Sequence, residues 1–282
     1  MQIGKYQVNL VDAGRFRLDG GAMFGVVPRV LWEKKKPADE FNRIEMATML
    51  LLLQSEGKNI LIDTGLGNKL NQKLMNIYGV DQSQHNLAGG LAKLHLSSED
   101  ITDVILTHLH FDHVGGATSY DESGKLQPTF PNATYYVHKM QYDWAITPSE
   151  KDKASYIQDN FVPLREKGQL TLLEDELEIF PDITLIPLHG HTQGMLGILI
   201  KGEHQNLFYA ADLIPTSAHI SIPWIMSYDL YPMTTLEEKQ QYLELASEQD
   251  WWVFFEHDPE IYCGKITRTE KGFVLKESII MD

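Results

Sequence analysis

The sequence predicts an α/β fold, and two patterns along the chain favour that class. Short apolar runs typical of buried strands alternate with segments of helical composition from one end of the chain to the other. In addition, several of these apolar runs are followed directly by His or Asp, which places polar side chains at the ends of predicted strands. Because strands and helices interleave throughout, we expect sheets covered by helices.

The predicted elements follow in chain order, beginning with a hairpin around the turn at residues 55–58. Apolar runs predict strands over residues 46–53, 59–63, 103–107, 134–138, 183–188, 207–211, from 251 onward and 261–267. Helical composition predicts helices over residues 69–78, 87–94, 139–145, 157–167 and 235–247, the fourth being interrupted or begun near Pro163. We expect a single domain over residues 1–282, with an N-terminal arm at about residues 1–44.

The composition bounds the possible partners. At 282 residues with 43% hydrophobic content, the chain is large enough to bury a sizeable core. Its formal net charge is −15, from 39 acidic and 24 basic residues, whereas proteins that bind nucleic acid normally carry basic stripes. The dense basic run at residues 34–36 lies beside Asp39 and Glu40. We therefore expect no nucleic-acid partner.

The compartment is predicted from the absence of sorting patterns. The N-terminal residues lack the basic-then-apolar pattern of a secretory signal, and no apolar run approaches membrane-spanning length. The single cysteine, Cys263, cannot form an internal disulfide, which suits a reducing compartment. We expect a cytoplasmic protein without a membrane partner, in which Cys263 is a small packed residue.

The sequence His-Leu-His-Phe-Asp-His at residues 108–113 carries the strongest chemical signal. It gathers three imidazoles and a carboxylate in six residues, which is favourable where a cation offsets the cost. In extended backbone the side chains of His108 and His110 leave on the same side, whereas Asp112 and His113 follow where the chain turns toward a helix. One loop can therefore serve two neighbouring metals. Gly115 and Gly116 then permit tight backbone geometry.

Further candidate ligands come later in the chain, each just past an apolar run. His191 follows the run at 183–188, Asp212 ends the run at 207–211, and His257 follows the run that starts at 251. Taken alone, each histidine is more simply an ordinary loop residue. Their repeated position at strand ends predicts that one edge of a sheet assembly brings them together.

These residues resemble the metallo-β-lactamase superfamily. Asp63-Thr64-Gly65, the 108–113 segment, Gly190-His191-Thr192, Asp212 and His257 occur in the order and approximate spacing of that family, over about residues 45–258. The resemblance implies an αββα sandwich with a dinuclear metal site at one edge of the two packed sheets. It also implies roles: His108, His110 and His191 on the first metal, Asp112, His113 and His257 on the second, Asp212 bridging both, and Asp63 and Thr192 supporting the ligands.

The implied chemistry is hydrolysis without an organic cofactor. A metal lowers the pKa of bound water from about 15.7 toward about 7, so that hydroxide forms at neutral pH and can attack a carbonyl or phosphoryl centre. Asp112 is the candidate catalytic residue that orients the hydroxide and passes its proton to the leaving oxygen. Imidazole and carboxylate ligands favour two Zn²⁺ ions, while Mn, Fe and Co remain compatible.

Two segments are similar to the branch that contains quorum-quenching N-acyl-homoserine lactonases and methyl parathion hydrolases. They are residues 18–28 and the insertion at 213–229. That branch implies a small-molecule lactone or ester as substrate, with an acyl chain against apolar side chains. The candidate contacts are Met23, Phe24, Phe111 and Trp224, each of which can equally fill the core.

One position departs from that branch. Some of its lactonases place a tyrosine three residues after the bridging aspartate, where this chain has Pro215. His219 and Tyr228 are the alternative donors. The other activities that the same site supports are hydrolysis of phosphotriesters, phosphodiesters or thioesters, and a non-catalytic metal-binding module is a weaker alternative. The resemblance suggests a homodimer, and a monomer is equally compatible with the sequence.

Overall fold

The computed structural model of the chain describes residues 1–175 and 177–281. The chain forms two compact units, residues 1–15 with 48–175 and residues 16–47 with 176–282. The strands are β1 Gln2–Ile3, β2 Tyr6–Asp19, β3 Arg43–Ser55, β4 Lys58–Ile62, β5 Asp103–Ile105, β6 Thr118–Tyr120, β7 Leu126–Pro128, β8 Thr134–His138, β9 Leu170–Leu173, β10 Leu177–Phe180, β11 Ile183–Leu188, β12 Met195–Ile200, β13 Leu207–Tyr209, β14 Trp252–Phe254, β15 Ile261–Thr269 and β16 Gly272–Ile280.

The helices are mostly short. They are α1 Gly20–Phe24, α2 Arg29–Trp32, α3 Gln72–Ile77, α4 Leu87–Lys93, α5 Phe111–Val114, α6 Lys139–Ile146, α7 Val162–Glu166 and α8 Pro232–Glu248. Turns of 3₁₀ helix lie at Ser98–Asp100, Gly115–Ala117, Lys153–Ser155, Gln158–Asn160, Ala211–Leu213 and Ser217–Ile220. Among the described residues, no helix has the length and apolar composition needed to cross a membrane.

The first seven-stranded sheet has the order β1-β2-β3-β4-β5-β8-β9. Strands β3 and β4 are antiparallel, and β4, β5, β8 and β9 run parallel to one another. Parallel strands end at the same edge of a sheet, so the residues that follow β4 and β5 meet there. Buried side chains of β3, β4, β5 and β8 form the core of the first unit, among them Leu50, Leu61, Val104 and Tyr135.

The second seven-stranded sheet has the order β10-β11-β12-β13-β14-β15-β16. Strand β12 is buried along its whole length, which fits a central strand covered on both faces. Strands β13 and β14 are parallel, with Tyr209 opposite Phe254. Strand β11 runs in the same direction as β13 because both are antiparallel to β12. The ends of β11, β13 and β14 therefore share one edge of this sheet.

Most predicted elements are present, and two of the predicted strands have the predicted bounds, β8 and β11. The helix predicted over residues 157–167 was expected to be interrupted or to begin near Pro163, and it is divided there into the 3₁₀ turn at Gln158–Asn160 and α7. Pro163 is the physical reason. It has no N–H to donate, so it is placed in the first turn of α7 rather than in a helix interior.

Residues 1–44 contain a strand that the sequence did not indicate. Strand β2 is 14 residues long, and its apolar alternation is interrupted by charged side chains. Two of these pair with each other, because the Arg15 guanidinium donates to both carboxylate oxygens of Asp12, at 2.6 and 3.0 Å. That pairing makes partial burial tolerable for both charges. The single-domain organisation with an N-terminal arm stays a prediction.

Helix α8 carries a buried lysine. Lys239 is fully buried, and its Nζ donates to the carbonyl oxygens of Ser221, Ile222 and Trp224 at 2.8, 3.3 and 2.7 Å. This ammonium therefore holds the residue 221–224 segment against the helix. Burial lowers the pKa of Lys239 to about 7, against the opposing effect of Asp229.

The Lys239 pKa predicts how stability depends on pH. Between about pH 7 and the unfolded value of 10.5, the unfolded chain keeps a proton that the folded chain has released. Stability should therefore rise with pH across that window, by at most about 1.4 kcal/mol per pH unit. The measurement is urea unfolding at several pH values for the wild type and Lys239→Met. The unfolding free energy of the wild type, taken relative to that of Lys239→Met, should rise from pH 7 to 10. A difference that does not change with pH would contradict this assignment.

Candidate metal centre

The first unit holds four candidate ligands on the segment that follows β5. His108 comes three residues after Ile105, the last residue of that strand. Asp63 directly follows the neighbouring strand β4 and is fully buried, with a left-handed backbone (φ 58°). Its Oδ1 accepts the backbone N–H of Thr107 at 2.7 Å, and its Oδ2 accepts the Thr107 hydroxyl at 2.6 Å. The Asp63 carboxylate thus fixes the start of the histidine segment.

Two histidines of this segment, His108 and His113, are oriented through their Nδ1 atoms. His113 Nδ1 lies 3.1 Å from Asp63 Oδ2, and His108 Nδ1 lies 3.1 Å from the Thr107 hydroxyl. Because that hydroxyl already donates to Asp63, it accepts from His108, which places the His108 proton on Nδ1. In metal sites, such contacts to the far nitrogen fix the tautomer of a ligating imidazole. His108 Nε2 and His110 Nδ1 converge to 3.0 Å, as two ligands of one cation do.

Two glycines let the metal-binding segment lie against the turn after β4. The Thr64 N–H donates to the His113 carbonyl at 2.8 Å, and the Gly116 N–H donates to the Gly65 carbonyl at 3.0 Å. A Cβ atom on Gly116 would lie 2.3 Å from the Thr64 carbonyl oxygen, and one on Gly115 would lie 2.1 Å from that of Leu66. The backbone approach therefore requires glycine at both positions, as the sequence predicted.

The second unit holds three candidate ligands, and each lies three residues after a strand end. His191 follows Leu188, Asp212 follows Tyr209, and His257 follows Phe254. Asp212 contacts both histidines. Its Oδ2 is 3.1 Å from His191 Nε2, and its Oδ1 is 3.1 Å from His257 Nε2. One carboxylate oxygen toward each imidazole is the arrangement that a bridging ligand needs.

Both histidines of the second unit are also held through Nδ1. His191 Nδ1 lies 2.9 Å from Asp229 Oδ1, and His257 Nδ1 lies 2.8 Å from the carbonyl oxygen of Ala47. Burial opposes a positive charge on His191, but the carboxylates of Asp212 and Asp229 outweigh it and raise its pKa to about 9. The surroundings of His191 are therefore strongly anionic and suited to a cation.

The donor chemistry fits divalent metal ions. All seven candidate ligands are at most 8% exposed, and none of them is a thiol. Four of the five histidines have Nδ1 at a hydroxyl, carboxylate or carbonyl oxygen, which turns Nε2 toward the ligand position. Groups of His and Asp side chains that could hold a metal ion occur in the described residues. Imidazole and carboxylate donors are those that zinc and related divalent metals accept.

Asp229 is an orienting residue that sequence reasoning missed, and it yields a prediction. Replacing Asp229 with Asn keeps the size of the side chain but removes the charge that holds His191 Nδ1–H. We expect metal affinity or activity to fall about 10- to 100-fold. The measurement is competition of the metal-loaded variant against a chelator, with Asp81→Asn, an exposed carboxylate, as the control. Wild-type metal affinity in the Asp229 variant would contradict this role.

Other contacts that hold the candidate ligands in place also could not be found from the sequence. The partner of His257 is a backbone carbonyl, that of Ala47, which no side-chain pattern reveals. Glu238 of α8 accepts the N–H groups of His189 and Gly190 at 2.6 and 3.0 Å, and so fixes the turn before His191. Thr192, predicted to support the ligands, is fully buried. Of the supporting residues named here that were missed, only Thr107 is adjacent to a motif recognised in the sequence, the segment at residues 108–113.

The predicted substrate contacts of the second unit are clustered around Phe24. This ring is fully buried, stacks on His219 at 4.6 Å and meets Trp224 edge-on at 5.6 Å. His219 Nε2 bonds to the Met23 carbonyl at 2.8 Å, and its Nδ1 bonds to the Thr216 hydroxyl at 2.7 Å. Burial lowers the pKa of His219 to about 3. His219 is therefore a neutral ring with both nitrogens engaged.

The remaining predicted contacts differ in exposure. Met23 is buried, Trp224 is half-buried and Tyr228 is 37% exposed. In the first unit, Phe111 is 6% exposed and stacks on Tyr78, a residue that the sequence did not single out. Contact of these side chains with a substrate stays a prediction. Cys263 is buried, and burial raises the pKa of its thiol, as expected for a packed residue.

The chain is similar in sequence to known N-acyl homoserine lactonases. The chain is 26% identical to the N-acyl homoserine lactonase AiiB of Rhizobium rhizogenes, over 94% of this chain and 97% of that protein. It is 25% identical to AiiB of Agrobacterium fabrum with the same coverage. The similarity to this group of lactonases, inferred from the sequence, is confirmed.

Solved structures share the fold. A probable metal-dependent hydrolase from Staphylococcus aureus has a TM-score of 0.90 and 32% identity, covering 100% of this chain and 99% of that one. The dizinc quorum-quenching lactonase AidC, solved with a product, has a TM-score of 0.81 and 23% identity, covering 100% and 97%. The predicted αββα class is thereby confirmed. The sequence model of the metallo-beta-lactamase superfamily matches residues 45–257 of this chain. The chain therefore belongs to that superfamily.

Proposed function

We propose that the protein is a dinuclear metal-dependent hydrolase that opens N-acyl-homoserine lactones or related lactones. The observation that carries the proposal is the similarity to N-acyl homoserine lactonases over nearly the whole of both chains. The ligand chemistry of each unit supports it, because the buried imidazoles and carboxylates are oriented as in metal sites. The formal net charge of −15 also suits a small neutral substrate better than a polyanion.

We assign the ligands as the family pattern places them. His108, His110 and His191 would hold one ion, and Asp112, His113 and His257 would hold the other. Asp212 would bridge both, which is supported by its two oxygens each lying 3.1 Å from a histidine nitrogen. When bound, such a pair of cations, proposed to be zinc, supplies hydroxide at neutral pH and stabilises negative charge on oxygen.

The residues of the chain then have distinct tasks in ring opening. Water adds to the lactone carbonyl carbon, and the bond from that carbon to the ring oxygen breaks. Asp112, at the start of α5 and 6% exposed, takes up one proton of that water and returns it to the departing ring oxygen, which becomes a free hydroxyl. The second proton stays on the new carboxylic acid and is released to solvent at neutral pH, leaving a carboxylate. Asp63 and Asp229 hold His113 and His191 in place, so that the ligand geometry does not reorganise during the reaction.

A substrate panel tests the proposal. The metal-loaded protein is assayed with N-hexanoyl-homoserine lactone, a simple γ-lactone, an aryl phosphotriester, a phosphodiester and an acyl thioester. We expect the lactones to have the highest kcat/KM, by at least about tenfold. If a phosphotriester, phosphodiester or thioester is preferred by that margin, the lactonase assignment is wrong and the hydrolase assignment stands. If none is turned over by protein that carries two metals, the catalytic proposal itself is contradicted.

A further inference from the structure

The buried lysine of α8 is linked by direct contacts to the candidate ligand His191. The Lys239 Nζ donates to three backbone carbonyl oxygens at 2.8, 3.3 and 2.7 Å, those of Ser221, Ile222 and Trp224. A lysine ammonium has three N–H donors and no acceptor, so these three carbonyls engage all of its donors. The segment 221–224 is therefore held at a single point, by one cation that the chain itself supplies.

The protein keeps this ammonium in an unfavourable place. Lys239 is fully buried, and burial lowers its pKa to about 7, although the charge of Asp229 acts in the opposite direction. An apolar side chain of similar length would fill the same volume without the cost of removing a charge from water. What the lysine contributes, and an apolar residue could not, is a fixed position for residues 221–224.

The segment that Lys239 holds leads directly to Asp229. Within the described residues 221–231 there is neither helix nor strand, so the position of this stretch depends on individual contacts. Just after Asp229, the Leu230 N–H donates to the His191 carbonyl at 3.0 Å. Asp229 is thus held from both directions along the chain, by the contact with Lys239 before it and by the His191 backbone after it.

Asp229 transmits this positioning to the candidate ligand. Its Oδ1 lies 2.9 Å from His191 Nδ1, and His191 Nε2 lies 3.1 Å from Oδ2 of Asp212. A contact on the far nitrogen fixes the tautomer and the direction of a ligating imidazole. If Asp229 moved, the His191 ring would lose the contact that directs its Nε2 toward Asp212.

We propose that Lys239 is a positioning residue, which keeps Asp229 on His191 and so fixes that ligand in the metal centre. The inference rests on the ligands of the proposed function, and it does not depend on which substrate is hydrolysed. Glu238, the preceding residue of α8, accepts the backbone N–H groups of the turn before His191. Two consecutive residues of α8 thus hold the two segments that meet at His191.

A double-mutant cycle on metal affinity tests the inference. Lys239→Met keeps the length of the side chain and removes the ammonium, so the affinity for Zn²⁺ in competition with a chelator should fall about tenfold. Asp229→Asn with Lys239→Met should bind Zn²⁺ within about twofold of Asp229→Asn alone, because both changes act through the same contact. Lys201→Met, at an exposed lysine of the same unit, is the control and should bind as the wild type does.

The possible results separate a positioning role from a structural one. Wild-type affinity for Zn²⁺ in Lys239→Met, even with a lower thermal midpoint, would mean that Lys239 supports only the fold. Losses that multiply in the double variant would mean that Lys239 does not act through Asp229, which also overturns the inference. If Lys239→Met does not fold, Lys239→Gln, which keeps two N–H donors, takes its place in the cycle and is judged by the same two criteria.

The same experiment distinguishes this inference from the proposed function. If Zn²⁺ binds and the two variants are coupled as expected, but no lactone is opened, the positioning role of Lys239 stands and the lactonase function is wrong. If the wild type binds no Zn²⁺, both are contradicted.

Discussion

Replacing Asp212 with Ala should reduce the bound metal from two ions per chain to one or fewer and lower kcat/KM by about 1,000-fold or more. The physical reason is that one carboxylate faces two imidazoles, with an oxygen 3.1 Å from His191 Nε2 and another 3.1 Å from His257 Nε2. In the proposed dinuclear site, its loss would remove a shared ligand from both ions, and a 1,000-fold effect corresponds to about 4 kcal/mol of transition-state stabilisation.

The measurement is metal content by elemental analysis, together with hydrolysis rates on the same preparation. Glu277→Ala is the control because Glu277 is an exposed carboxylate of the same unit. It should retain both metals and full activity. An Asp212→Ala protein that keeps two ions and wild-type turnover would show that the carboxylate is a structural partner of the histidines only.

Replacing Asp258 with Ala should cause the largest loss of stability. Asp258 is fully buried and pairs with the Nζ of Lys36 at 2.7 Å, and that lysine side chain is only 7% exposed. The same carboxylate accepts the Ser217 N–H at 2.9 Å and its hydroxyl at 2.6 Å. Removing the carboxylate leaves the buried Lys36 ammonium without its partner, so we expect a loss of about 3–5 kcal/mol in the free energy of unfolding.

Urea unfolding measures this loss, and an exposed ion pair provides the control. Arg29 and Glu33 pair at 2.6 Å with side chains 52% and 40% exposed, so Glu33→Ala should change the free energy of unfolding far less than Asp258→Ala does. A cost for Asp258→Ala as small as that for Glu33→Ala would mean that water reaches Lys36 and that this pair does not stabilise the turn after β14.

The sequence was informative wherever a candidate ligand follows a strand. His108, His191, Asp212 and His257 each lie three residues after a strand end, and the three of the second unit lie at one edge of its sheet. Apolar runs reveal buried strands, so the position of these four side chains just after strand ends could be predicted from pattern alone, while their role as ligands stays a prediction.

The orienting contacts could not be predicted in the same way. Asp229 lies 38 residues from His191, in the part of the 213–229 insertion that follows the 3₁₀ turn Ser217–Ile220, and the partner of His257 is a backbone carbonyl 210 residues away. Such contacts depend on how distant segments pack, which composition and periodicity do not encode. Strand β2 was missed for a local reason, because the Asp12 and Arg15 charges that obscure its alternation neutralise each other only in the folded chain.

Ring opening of N-hexanoyl-homoserine lactone by protein stripped of metal and then reloaded with Zn²⁺ tests the central claim most directly. We expect the stripped protein to be inactive, and activity to return in proportion to zinc until two ions per chain are bound. Asp112→Asn, reloaded in the same way, should bind zinc but turn over at least about 100-fold more slowly. Full activity in the metal-free protein, or saturation with two zinc ions without any lactone hydrolysis, would contradict the account.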